Sequence, residues 1–140
     1  MIQRQQTLWL LLATTAAIAS FVFPFVIGDE IKAGNPMPVR ATIDAGSTFL
    51  LLLCTGASLV LSTATIFLYK NRQQQQWLTA GGILLSVLLF ILYIKEMNRL
   101  TAPVLALSSV LPVIILISYI MAIRGIRKDD KLVKSLDKLR

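Results

Sequence analysis

The sequence predicts an all-α integral membrane protein: four transmembrane helices in an antiparallel bundle, followed by a cytoplasmic amphipathic helix. Three observations carry this. Only 15% of the 140 residues are charged, where a soluble domain of this size carries about 25%. The charges are gathered between long uncharged runs. Half of the fourteen Lys and Arg fall in the last seventeen residues, as a basic cluster after a final span would.

The first apolar run, "TLWLLLATTAAIASFVFPFVIG", covers residues 7–28 and would measure about 33 Å as a helix, enough for a hydrocarbon core of about 30 Å. Its start imitates a secretory signal, with Arg4 ahead of a short apolar stretch and "AIAS" at a cleavage-like position. The run continues through Phe21, Val22, Phe23, Phe25, Val26 and Ile27, however, so it reads as a retained span. Further runs cover 46–69, 77–94 and 103–123, and none of the four contains Lys, Arg, Asp or Glu. Residues 1–123 thus form the bundle and 124–140 the basic helix. "KNRQQQQ" and "KEMNRLTA" are short links that make successive helices antiparallel neighbours. The longest link, "DEIKAGNPMPVRATIDA", has turn residues Gly34, Asn35, Pro36 and Pro38, and its flanks, Ile31 and "VRATI", can pair as a small hairpin.

With four spans, the two chain ends and the 70–76 link share a side. That side holds Arg4, Lys70, Arg72, Arg124, Arg127, Lys128, Lys131, Lys134, Lys138 and Arg140, against Lys32, Arg40, Lys95 and Arg99 opposite. Positive charge favours the cytoplasmic side, so both termini are expected there. Trp9, Tyr69, Trp77 and Tyr119 fall near the cytoplasmic span ends, where interfacial aromatics gather.

Inside the spans, Cys54, Ser58 and Ser62 recur every four residues, which stacks them on one helix face. With Gly81 and Gly82 of the third span as counter-surface, they read as helix-packing positions, small enough for close approach. Pro24 and Pro112 interrupt spans one and four and predict kinks.

The chemistry available is narrow. The chain has no histidine and one cysteine, which removes the usual zinc and haem ligands, a disulfide within the chain and every histidine-based acid–base mechanism. Asp129 and Asp130 are adjacent, so on a helix they point about 100° apart and do not converge on a metal. No catalytic, metal or cofactor-binding residue is therefore expected, and the protein is not expected to be an enzyme. The net charge of +7 reads as membrane topology, since no nucleic-acid motif surrounds the basic residues.

The last residues form a basic amphipathic helix. Leu132, Leu136 and Leu139 share one face, while Arg127, Lys131, Lys134 and Lys138 follow on the other. Such a helix can lay its leucines at the lipid boundary and direct its cations to anionic headgroups, or offer the leucines to a protein partner.

"MIQRQQTLWLLLA", "FVFPF", "FLYKNRQQQ" and above all the terminal "IRKDDKLVKSLDKLR" give the chain a further reading. Over essentially its whole length it resembles the uncharacterised four-span membrane proteins of Bacteroidota that carry domain of unknown function 4293. That family usually has a similar acidic pair where Asp129 and Asp130 stand here. The resemblance implies a bacterial inner-membrane location and four spans; it brings no assigned activity, so no functional residue is carried over. Two function classes follow. The first is a non-enzymatic accessory, assembly or scaffold subunit acting through helix packing and its basic tail, with a protein partner or further copies in the membrane. The alternative is a small oligomeric transporter or channel lined by the Ser/Thr/Cys face of span two.

Overall fold

The computed structural model describes residues 2–31, 37–68 and 71–137, apart from the side chains of 2–4, 134, 136 and 137. In chain order it contains α1 (Ile2–Val22), β1 (Val26–Glu30), β2 (Val39–Ile43), α2 (Phe49–Phe67), α3 (Arg72–Met97), β3 (Thr101–Leu105), a 3-10 turn (Leu107–Val110) and α4 (Leu111–Asp137). The fold is mostly helical, and its four long helices are long and apolar enough to cross a membrane. The all-α expectation needs one correction, because a three-stranded antiparallel sheet, ordered β2-β1-β3, accompanies the helices.

The two prolines explain where the first and last helices stop and start. Pro24 restricts Phe23 and cannot donate to the helix ladder, so α1 ends at Val22 and the chain turns into β1. Pro112 is the second residue of α4, in the first turn, where a missing N–H leaves no gap in the ladder. The kinks expected at Pro24 and Pro112 are therefore helix ends. The Ser108 hydroxyl donates to the Pro24 carbonyl, tying one end to the other. Residues 26–28, read as the close of span one, are strand, and so are residues 103–105, read as the opening of span four.

The predicted hairpin is present, but its first strand is Val26–Glu30 rather than the neighbourhood of Ile31; Val26 pairs with Ile43 and Glu30 with Val39. The Phe25 N–H donates to the Ile43 carbonyl at 2.6 Å and the Ala45 N–H to the Ser20 carbonyl at 3.1 Å, so the sheet is fastened to the end of α1. An Asp44–Ser47 turn then reverses the chain into α2, the Gly46 N–H donating to Asp44 Oδ1 at 2.9 Å.

On the other side of β1, Ile27 pairs with Val104 but Asp29 with Thr101, a bulge that places Ala102 and Pro103 opposite Gly28. Pro103 is tolerated there because β3 is an edge strand. Gly28 leaves room for it: a Cβ there would come within 3.0 Å of the Leu100 side chain and 3.3 Å of Pro103 Cα. Ala102 occupies the left-handed region at φ 55°. That conformation costs an L-residue about 1–2 kcal/mol, while glycine loses about 0.5–1 kcal/mol through the freedom of its unfolded chain. Ala102→Gly is therefore expected to stabilise the purified protein by about 0.5–1 kcal/mol, read as a raised thermal midpoint.

The main helix contacts are α1 with α2 and α4, and α3 with α2 and α4. Alanines make the closest of these possible: Leu10, Ala13, Ala16 and Ala17 of α1 pack against Ile115, Tyr119 and Ala122 of α4. A second cluster, nearer the sheet, gathers Phe25, Val26, Ile43, Leu51, Cys54, Leu89 and Tyr93. In it the rings of Phe25 and Tyr93 stack with centroids 4.4 Å apart. The large side chains Leu8, Leu53, Val60, Leu84 and Ile91 face outward.

Candidate functional site

The polar groups that the helices bury converge on one seam. Along α2, Cys54, Thr55, Ser58, Ser62 and Thr65 are all buried, on the face that the four-residue spacing marks out. At its centre the Tyr119 hydroxyl of α4 donates to the Ser58 carbonyl at 2.8 Å, and the Ser58 hydroxyl lies 3.3 Å from Tyr119 Oη. One turn further on, the Thr14 hydroxyl of α1 donates to Ser62 Oγ at 2.8 Å, while Ser62 donates to the Leu59 carbonyl at 2.9 Å. The Thr14 oxygen is also 3.0 Å from the Leu10 carbonyl. Its single proton serves one acceptor at a time, and the bond to Ser62 is the one that joins two helices.

Gly82 of α3 completes the seam. A Cβ there would stand 2.4 Å from Tyr119 Cε1, so the absence of a side chain is what seats the tyrosine ring. Gly81 behaves differently: a Cβ on it would meet nothing within 4 Å, so of the two expected counter-surface glycines only Gly82 makes the close contact. Cys54 is buried in the sheet-side cluster, away from the Tyr119 contact.

Sequence reasoning missed Thr14 and Tyr119 as members. Tyr119 was placed at an interfacial span end, yet it is fully buried, because α4 runs on to Asp137 without a break at residue 123. The available signal was spacing: Ile115, Tyr119, Ala122 and Ile126 fall on one helical face and all are buried. Gln75 was also missed. The "QQQQ" read as a link belongs to α3, as befits a good helix former, and buried Gln75 donates to the Thr65 carbonyl at 3.3 Å.

Hydrogen bonds between spanning helices average about 0.6 kcal/mol and reach about 1.7. Tyr119→Phe is therefore expected to cost about 0.6–1.7 kcal/mol, by removing a donor from a buried carbonyl. Ser58→Ala should cost less, because the acceptor in the shorter contact is backbone and survives. Thermal unfolding of both variants checks the order.

The seam is a fastening. The hydroxyls of Thr14, Ser62, Thr65 and Tyr119 point at carbonyls or at one another, and that of Ser58 lies against Tyr119. The buried Thr55 hydroxyl has no hydrogen-bond partner among the described residues, and the Cys54, Ser58 and Ser62 side chains are almost wholly covered. Among the described residues, no three His, Cys, Asp or Glu side chains come together as a metal ligand set.

The other group singled out by sequence lies on the last turns of α4. Arg127 and Lys131 are exposed, and Leu132 is 43% exposed. The side chains of Lys134 and Leu136, and the whole of Lys138 and Leu139, lie outside the described residues. The helix is still in contact with its neighbours at Asp129, whose carbonyl is 3.5 Å from the Arg72 guanidinium of α3.

Four helices of membrane-spanning length and apolarity, joined through small and hydroxyl side chains and accompanied by a three-stranded sheet, define the class of this protein. The chain belongs to the family described as domain of unknown function (DUF4293), which matches residues 2–139. Neither the curated proteins nor the solved structures contain a match to it.

Proposed function

We propose that the chain is a multi-pass protein of a bacterial cytoplasmic membrane. Its four helices insert as an antiparallel bundle with both ends cytoplasmic, and it serves as a non-enzymatic accessory, assembly or scaffold subunit. The observation that carries the membrane reading is an inside-out distribution of side chains. Leu8, Phe49, Val60, Leu84 and Ile91 are each at least half exposed, while Ser58, Ser62, Thr65, Thr79, Ser86 and Ser118 are buried. In water that arrangement forfeits the hydrophobic driving force; in lipid it is the ordinary one, because packing and interhelical hydrogen bonds hold the helices together. Orientation is supported by charge. The Gln6–Gly125 contact and the Arg72–Asp129 contact bring the start of α1, the start of α3 and the end of α4 to one end of the molecule, the end richer in Lys and Arg.

The subunit reading is supported by the way the seam uses its polar groups. Ser58 and Ser62 are engaged with Tyr119 and Thr14, which leaves the exposed basic end of α4 as the conspicuous surface for anionic headgroups or for a partner. A transporter would instead need the same serines to line a path, and flux lost in Ser58→Ala and Ser62→Ala variants would support that alternative.

The test is gentle extraction of the protein at its native level, with mass spectrometry of what co-purifies and a control lacking residues 127–140. A stoichiometric partner that disappears with the deletion is the expected result. A homo-oligomer of unchanged composition with and without the tail would count against the subunit reading.

A further inference from the structure

The outer seam between α1 and α4 opens, at the basic end, into a groove that the packing does not fill. Its lower part, about 560 Å³, is lined by Gln5, Leu8, Trp9, Leu12 and Met121. The adjoining upper part, about 190 Å³, shares Gln5, Trp9 and Met121 and adds Gln6, Arg124, Gly125 and Lys128. Both helices contribute at spacings of three and four, Gln5, Leu8, Trp9 and Leu12 on one and Met121, Arg124, Gly125 and Lys128 on the other, so each presents a single face.

Three features give the groove a chemistry. It is graded: Lys128 and Gln5 lie toward the end of the molecule and Leu12 and Met121 about two turns, or about 10 Å, further in. Its charge has one sign, since Arg124 and Lys128 line it and, among the described residues, no carboxylate does. It also holds an unmet donor. Gln6 is 3% exposed, and its Nε2 has no hydrogen-bond partner among the described residues. Gly125 admits that side chain, because a Cβ there would come within 2.8 Å of Gln6 Cγ. A buried amide donor is costly unless an acceptor meets it.

We propose that this groove binds one anionic phospholipid of the cytoplasmic leaflet, its phosphate held by Arg124, Lys128 and the Gln6 amide and an acyl chain laid along Leu8, Leu12 and Met121. The assignment rests on the membrane reading and orientation given above. Basic pockets between spanning helices at the cytoplasmic side suit such headgroups, and each well-placed Lys or Arg contributes about fivefold in affinity. An acyl chain matches the apolar floor, and Trp9 stands where the polar and apolar parts meet, a position that indole favours.

Trp9 makes the site measurable, because the chain has two tryptophans and the other, Trp77 on α3, is 74% exposed. The full-length W77F protein, which reports Trp9, and the W9F protein, which reports Trp77, are reconstituted in phosphatidylcholine vesicles. Acyl-brominated phosphatidylglycerol is then increased. Trp9 is expected to be half-quenched at a mole fraction at least about fivefold below that for Trp77. Brominated phosphatidylcholine should show no such gap. R124Q/K128Q in the W77F protein should move Trp9 onto the bulk-lipid curve, and R124K/K128R should keep the preference.

If Trp77 is quenched and Trp9 follows the same bulk curve, the lipid site is wrong and membrane insertion stands. If Trp9 is shielded from every brominated lipid while Trp77 is quenched, a second copy or another protein covers the groove, and the proposal falls. If neither is quenched, the membrane reading falls and takes the lipid site with it.

Discussion

Gly82→Leu is expected to unfold the contact between α3 and α4, whereas Gly81→Ala, one residue away, should leave the protein as stable as before or slightly more so. The difference lies in one ring. A Cβ on Gly82 would be 2.4 Å from Tyr119 Cε1 and 2.7 Å from two further ring atoms, distances at which the tyrosine must move. Tyr119 has nowhere easy to go, since it is fully buried in the α1–α4 cluster and its hydroxyl is fixed on the Ser58 carbonyl. Gly82→Ala should cost about 1–3 kcal/mol as an overpacked contact, and leucine more. Gly81 has open space, so alanine there should gain up to about 1 kcal/mol from helix propensity. Thermal unfolding of the purified variants orders them. Pairing Gly82→Ala with Tyr119→Leu should recover part of the loss, because the two residues share one contact and their effects cannot add. Equal losses at Gly81 and Gly82 would mean that α3 is rotated from the position described.

That pair of glycines also shows what a sequence can express. Adjacent residues on a helix point about 100° apart, so two small residues in a row announce a close approach without saying which one makes it. The α2 face was legible because Cys54, Ser58 and Ser62 repeat the helical period; a single tyrosine repeats nothing. The four long helices were legible because spanning length and apolarity are properties of a run. Their ends were less so. Phe25–Gly28 and Pro103–Leu105 continue the apolar runs without a change of composition, and hydropathy gives an apolar strand and a helix end the same weight. What separates them is tertiary: β1 finds β2 on one side and β3 on the other, and a pairing of residues some seventy-five positions apart leaves no local mark. Both prolines did mark breaks, and only the kind of break was misread. At the other limit, Asp137 rather than Ile123 ends the described part of α4, because charged residues continue a helix as readily as apolar ones.

The largest effect expected from a single outward-facing residue comes from Leu84→Lys, and its sign depends on what surrounds the helices. Leu84 is 74% exposed and stands midway along α3, twelve residues from Arg72 and thirteen from Met97. Lysine at such a site costs a water-surrounded protein almost nothing, within about 0.5 kcal/mol, since a surface leucine contributes little. At the centre of a spanning helix the same change costs about 2.5–3.5 kcal/mol, because the ammonium must be desolvated or must pull water into the hydrocarbon. Ile94→Lys supplies the comparison. It is also outward-facing, at 40% exposed, but sits beside Lys95 near the sheet end, where a long side chain can reach the headgroups along its own stem. The expected result is that L84K lowers the carbonate-resistant membrane fraction steeply, that I94K lowers it little, and that the two proteins differ in thermal midpoint in the same order. Equal recovery of L84K and the parent chain from membranes would show that α3 does not stand in a bilayer. Its apolar flank would then need a protein surface to cover it.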